Sequence, residues 1–166
     1  MRRALLLLVL AAALAAGLTA GRGGDAPAGD APARVVHVVD GDTIRVALGG
    51  REERVRYIGI DTPESRRPDT PVQCYARRAA RENARLVSGE RVRLVRDVEE
   101  RDRFGRLLAY VYRARDGRFV NAALVRSGFA RTLTIPPNVR FAGRFARLAA
   151  EARRSGRGLW SACGPA

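Results

Sequence analysis

The chain has 166 residues, with 31 basic residues against 17 acidic ones for a formal net charge of +14, and every basic residue is arginine. That length holds one ordinary domain, and an apolar fraction of 46% excludes a wholly disordered chain. One histidine and two cysteines exclude a histidine-rich zinc centre, a four-cysteine zinc site and a dense disulfide framework.

The excess of bases points to a polyanionic partner: nucleic acid, acidic lipid or acidic polysaccharide. The use of arginine in place of lysine fits the codon bias of a GC-rich genome, but such a bias does not account for the imbalance with acids.

Met1-Arg2-Arg3 is a short basic start, and Ala4 to Ala16 is an unbroken run of Leu, Val and Ala. Small residues follow through Ala20, so residues 1–20 read as a secretory signal peptide. The alternative is an uncleaved N-terminal membrane anchor. Either way the domain is expected outside the cytoplasm, with no stable membrane association once the signal is cleaved. Residues 21–33 are Gly, Arg, Pro, Ala and Asp and read as a flexible linker. The folded domain is expected over 34–163. All but three arginines lie in it, so the charge belongs to the domain.

Arg34 to Asp40 is β-branched and predicts a strand. Thr43 to Leu48 alternates and predicts a second, across an Asp40-Gly41-Asp42 turn. Glu53 to Ile60 predicts a third, completing a meander. Thr62 to Val72 holds three prolines and reads as a loop. Cys74 to Ser88 carries an Ala/Asn/Val stripe with arginines mostly outside it and predicts a helix. Arg91 to Val98 and Leu107 to Arg113 predict two more strands, and Phe119-Val120 a short one. Asn121 is placed as the cap of a short helix to Arg126. Phe141, Phe145, Leu148 and Ala152 set out a third helix. This is an α+β, mainly β, pattern without βαβ alternation, suited to a small five-stranded barrel with appended helices.

In so basic a domain, carboxylates gathered at strand ends are informative. Asp40 and Asp42 flank one turn, and Asp61 and Glu64 follow the third strand. If that strand returns antiparallel, its end lies beside the turn. Several carboxylates with a backbone carbonyl suit a hard cation such as Ca²⁺ or Mg²⁺. Arg56 and Arg106 would hold phosphate oxygens in bidentate fashion, and a carboxylate would take a proton from water. Taken singly, Asp-Gly-Asp is an ordinary hairpin turn, and any one arginine is an ordinary surface charge.

Val38-Val39-Asp40-Gly41-Asp42-Thr43, Arg56, Ile60-Asp61-Thr62-Pro63-Glu64, Asp102-Arg103-Phe104-Gly105-Arg106 and Val120 to Gly128 follow one another in an order that resembles the thermonuclease, or staphylococcal-nuclease-like, family. The resemblance covers about Arg34 to Trp160. It implies an OB-fold barrel with three helices. It further implies a monomeric, calcium-dependent endonuclease acting on DNA and RNA, leaving 3′-phosphate and 5′-hydroxyl ends. By position, Asp42 and Asp61 would be direct Ca²⁺ ligands, with the Thr62 carbonyl as a third and Asp40 in the outer sphere. Glu64 would be the general base, and Arg56 and Arg106 would bind the cleaved phosphate. Arg103 and Phe104 occupy substrate-binding positions where the family's type member has Lys and Tyr, so a phenol hydroxyl is absent. The nucleotide-stacking tyrosines are replaced by Thr132-Leu133-Thr134-Ile135-Pro136. The alternative functions are a non-catalytic nucleic-acid-binding OB-fold module and a cell-surface binder of acidic polymer.

Cys74 opens the first predicted helix and Cys163 lies past the last. In an exported domain they are expected to form one disulfide, with two free thiols as the alternative. His37 reads as a structural or exposed strand residue, and Trp160 as a packing anchor.

Overall fold

The computed structural model describes residues 32–64 and 71–163. The signal-peptide segment and nearly all of the linker lie outside the described residues; Ala33, assigned to the linker, is the buried first residue of a strand.

Five strands close a barrel in the order β1 (Ala33–Val38), β2 (Thr43–Leu48), β3 (Arg51–Tyr57), β6 (Leu107–Arg113) and β5 (Arg91–Val95). The pairs are antiparallel except β3 with β6, which run parallel and set Arg56 opposite Leu108. Alternation builds the interior: Val35, Ile44, Val46, Val55, Tyr57, Val92, Leu107 and Val111 are all buried. Helix α1 (Ala76–Val87) precedes β5 in sequence, and α2 (Val120–Arg126) and α3 (Ala142–Arg154) follow β6. Phe119, Phe141 and Phe145 surround Tyr110 with ring centroids 4.6–6.3 Å away and tie α3 to the barrel. The fold is the five-stranded OB barrel with helices that the sequence implies.

Several local features differ from the sequence reading. The third strand stops at Tyr57, and Gly59 at φ +80° turns the chain into a separate two-residue strand, β4 (Ile60–Asp61). β4 pairs with β7 (Arg131–Thr132) in a second small sheet. The strand from Arg91 ends at Val95, and Phe119 makes only an isolated bridge to Tyr112. Asn121 does not cap α2. It is buried inside the helix, accepting from the Val111 N–H and donating to the Ile58 carbonyl, both at 2.9 Å. A buried amide finds more partners by linking two elements than by capping one. A fourth helix, the single turn α4 (Leu159–Ala162), closes the chain, and Cys163 beyond it forms a disulfide with Cys74. Among the described residues no helix is long and apolar enough to cross a membrane.

Candidate active site

The β1–β2 turn folds on itself: the Asp42 N–H donates to Asp40 Oδ1 at 3.0 Å. Gly41 lies against Thr62, and a Cβ there would stand 2.6 Å from Thr62 Oγ1. Only glycine lets the turn approach the end of β4 this closely. Thr62 then donates its N–H (2.8 Å) and hydroxyl (3.0 Å) to Asp42 Oδ2. The Thr43 hydroxyl donates to Asp42 Oδ1 at 3.1 Å. From α1, Asn83 Nδ2 donates to the Asp40 carbonyl at 2.8 Å, while its Oδ1 accepts from Tyr57 OH at 2.9 Å.

The β2–β3 register sets Arg56 opposite Thr43. Its Nη1 donates to the Tyr57 and Ile60 carbonyls, both at 2.8 Å. Nη2 donates to Asp61 Oδ1 at 2.9 Å, and Nε lies 3.2 Å from Asp42 Oδ1. The guanidinium therefore spans the break between β3 and β4 and both aspartates, with 13% of the side chain exposed. Such a multiply held fork is fixed in orientation before any ligand arrives.

Arg106 has its own support. Asp102 Oδ2 accepts from Arg106 Nε at 2.7 Å, and Asp102 Oδ1 accepts from the N–H groups of Phe104 and Arg106. Burial works against the charge on Asp102, but the Arg106 side-chain and backbone hydrogen bonds outweigh it and hold its carboxyl below the usual range. Glu64 is tied through its backbone to Gln73: its N–H donates to Gln73 Oε1 at 2.8 Å, and its carbonyl accepts from the Gln73 N–H at 3.0 Å.

All seven residues nominated for cation and phosphate, Asp40, Asp42, Arg56, Asp61, Thr62, Glu64 and Arg106, line one polar cavity of about 140 Å³. Burial, then the adjacent charge of Asp42, push the Asp40 carboxyl up to about 6. Asp61 is raised for the same two reasons, against the pull of Arg56. Crowded carboxylates whose ionised forms are disfavoured create a demand for positive charge. The donors are all hard oxygens, the chemistry that fits Ca²⁺. Among the described residues no three acidic, His or Cys side chains stand close enough to hold an ion unaided. A cation here must also draw on carbonyl and water oxygens.

Arg103 and Phe104 line a second, larger groove of about 490 Å³, shared with Arg56 and Arg106 and walled by Leu133 and Ile135. Phe104 is exposed, with the Arg103 and Arg106 guanidinium carbons 4.8 and 5.4 Å from its ring centroid. His37 is an exposed strand residue, and Trp160 stands between Arg131 and Arg153 against the end of α3. The sequence reading missed three supports: Asp102, Gln73 and Asn83. Asp102 had a signal, since an aspartate with glycine three residues on marks an Asx turn. Gln73 and Asn83 carry none, because their partners are remote in sequence.

A closed OB barrel with carboxylates and two braced guanidiniums at one mouth has the layout of a domain that handles phosphodiesters. The sequence profile of the staphylococcal nuclease homologue family matches residues 54–162. The chain is 38% identical over 128 residues to a thermonuclease of Staphylococcus hyicus, covering 77% of this chain and 75% of that protein. It is 40% identical over 126 residues to a thermonuclease of Staphylococcus intermedius, covering 76% and 74%. It is 38% identical over 128 residues to endonuclease YncB of Bacillus subtilis (strain 168), covering 76% of this chain and 60% of that protein. The chain belongs to the staphylococcal nuclease family.

Proposed function

We propose that this nuclease-family protein is an exported, monomeric, calcium-dependent endonuclease that hydrolyses DNA and RNA to 3′-phosphate and 5′-hydroxyl products. One observation carries the reading most: Asp42, Asp61, Arg56, Glu64 and Arg106, drawn from four separate stretches of chain, share one small polar cavity. A pure binder of polyanions has no use for four carboxylates facing a phosphate.

Asp42, Asp61 and the Thr62 carbonyl would hold the cation, with Asp40 behind them. A bound Ca²⁺ would neutralise phosphate charge and favour ionisation of an attacking water. Arg56 keeps Nη1 anchored on two backbone carbonyls, while Nε and Nη2, now on the aspartates, are the donors it has for phosphate. Arg106, oriented by Asp102, would bind the same phosphate. Glu64 accepts the proton from water. Charge stabilisation by pre-oriented donors supplies the remainder of the rate.

Residues 1–20 would direct export as a cleaved signal, 21–32 would link, and the domain would begin at the barrel with Ala33. The Cys74–Cys163 disulfide supports an oxidising destination. The reading is tested by assaying cleavage of DNA and of RNA with Ca²⁺ and with a Ca²⁺ chelator. Cleavage of both that stops in chelator and returns with Ca²⁺ supports it. Firm binding without cleavage would give the case to a non-catalytic OB-fold module.

A further inference from the structure

We infer that the outer face of α1 is a second nucleic-acid contact, a phosphate-tracking groove leading away from the cleavage cavity; this rests on the polynucleotide substrate proposed above. A groove of about 590 Å³ is lined by Gln73, Tyr75, Arg77, Arg78 and Arg81, and among the described residues no carboxylate lines it. Arg77 and Arg81 are exposed and stand one turn apart on the same helix face. The spacing along the axis is about 6 Å, close to the gap between neighbouring phosphates on an extended strand. Glu82, the acidic residue of this helix, is held by Arg85 at 2.8 and 2.6 Å and so neutralises Arg85 instead of the groove.

Two further observations favour a built surface over a merely solvated helix face. Tyr75 has φ +72°, a backbone region unfavourable for a bulky side chain. That geometry sets its ring in the groove wall, 5.4 Å from Phe129 and 5.4 Å from the Arg78 guanidinium carbon. The groove is also tied to the cavity by hydrogen bonds. Gln73 lines the groove, and its backbone and side chain bond the backbone of Glu64, which lines the cavity. A strand whose scissile phosphate lies between Arg56 and Arg106 can leave past Glu64 and Gln73 onto Arg77 and Arg81. Long substrates gain two phosphate contacts there; a dinucleotide ends before reaching them.

The test compares wild type with the Arg77→Gln/Arg81→Gln double variant, which removes both charges but keeps polarity and helix propensity. The probes are a dinucleotide and a single strand of about 30 nucleotides, the latter long enough to outrun the cavity. Cleavage is followed in saturating Ca²⁺, and affinity for the long strand is titrated in chelator across a salt series. The dinucleotide kcat/KM should stay within about twofold, while the slope of log affinity against log salt for the long strand flattens by about 1.4. The wild-type advantage on the long strand should then shrink about sevenfold between about 50 and 200 mM salt. Equal slopes for the two proteins overturn the groove, and so does an equal loss on both substrates. So does preferential binding of anionic-lipid vesicles with strand binding unchanged. If the wild type binds the strand but cleaves neither probe, a flatter slope in the variant still supports the groove, while the nuclease reading fails.

Discussion

The two recesses at the barrel mouth are built on opposite terms. In the small cavity, Asp42, Arg56 and Thr62 are buried or nearly so and hold one another through six contacts of 2.8–3.2 Å that also take in Asp61 and two backbone carbonyls. In the neighbouring groove, Phe104, Leu133 and Ile135 are exposed, and the Phe104 ring lies beside the Arg103 and Arg106 guanidiniums. The first is preorganised for one geometry. The second offers apolar surface without a hydrogen-bonding pattern. On the proposed function, this contrast would set tightly held chemistry against loosely held substrate bases, so that variants in the cavity should change turnover and variants in the groove should change affinity.

Glu64→Gln should break the comparison hardest. It keeps size and hydrogen bonding but accepts no proton, so turnover should fall about 10²–10⁴-fold with affinity nearly intact. Paired titration and rate measurements on one preparation check it, and unchanged cleavage would remove Glu64 from the chemistry. Arg56→Lys keeps the charge but loses the fork, and turnover should fall about 10²–10³-fold, as for loss of a preorganised donor. Arg106→Lys should behave similarly, whereas the exposed Arg153→Lys should be silent. Equal, mild rates at all three positions would mean that the cavity arginines are ordinary surface charge.

Asp102→Asn should act through Arg106, lowering kcat less than Arg106→Lys does. It also has a stability signature. The Asp102 carboxyl is held below its ordinary value, so its contribution is complete above the ordinary carboxylate range and is lost as pH falls through the folded-state value. Thermal midpoints followed from neutral pH down to about pH 3 should show a shallower acid decline in the variant. A decline parallel to wild type would exclude the ion pair as its cause. The smallest effect belongs to the loose groove. Leu133→Tyr supplies a stacking platform and should tighten binding by up to about 1–3 kcal/mol without altering kcat. A change in kcat with no change in affinity would invert the proposed division of labour.

Much of this was legible in the sequence because it is local. Alternation in Thr43 to Leu48 announces β2, and the Phe141-Phe145-Leu148-Ala152 spacing announces α3. Asp-Gly-Asp and Asp-Thr-Pro-Glu sit at strand ends, where register brings them together. Other features had no periodic signal. β4 and β7 are two residues each, too short to alternate, and the apolar Ile58 and Ile60 hide the break at Gly59. α4 is a single turn held by its surroundings: the Leu159 N–H bonds the Gly128 carbonyl, and Cys163 is anchored to Cys74. Asn121 reads as a cap by residue type, yet tertiary partners in β6 and at Ile58 claim its amide. Local chemistry announces which groups take part; the long-range bonds that fix their orientation appear only once the chain is folded.

The central claim is that one cavity binds the cation and breaks the phosphodiester. Calorimetric titration of Ca²⁺ into wild type and Asp61→Asn, with DNA cleavage measured on the same samples, tests it most directly. Asp61 is suited to this because its side chain is about half exposed, so the substitution spares the core. One Ca²⁺ site is expected in the wild type, weakened in the variant, with cleavage lost in parallel and partly restored by excess Ca²⁺. Cleavage by the wild type in full chelator, or undiminished cleavage by a variant that no longer binds Ca²⁺, would contradict it.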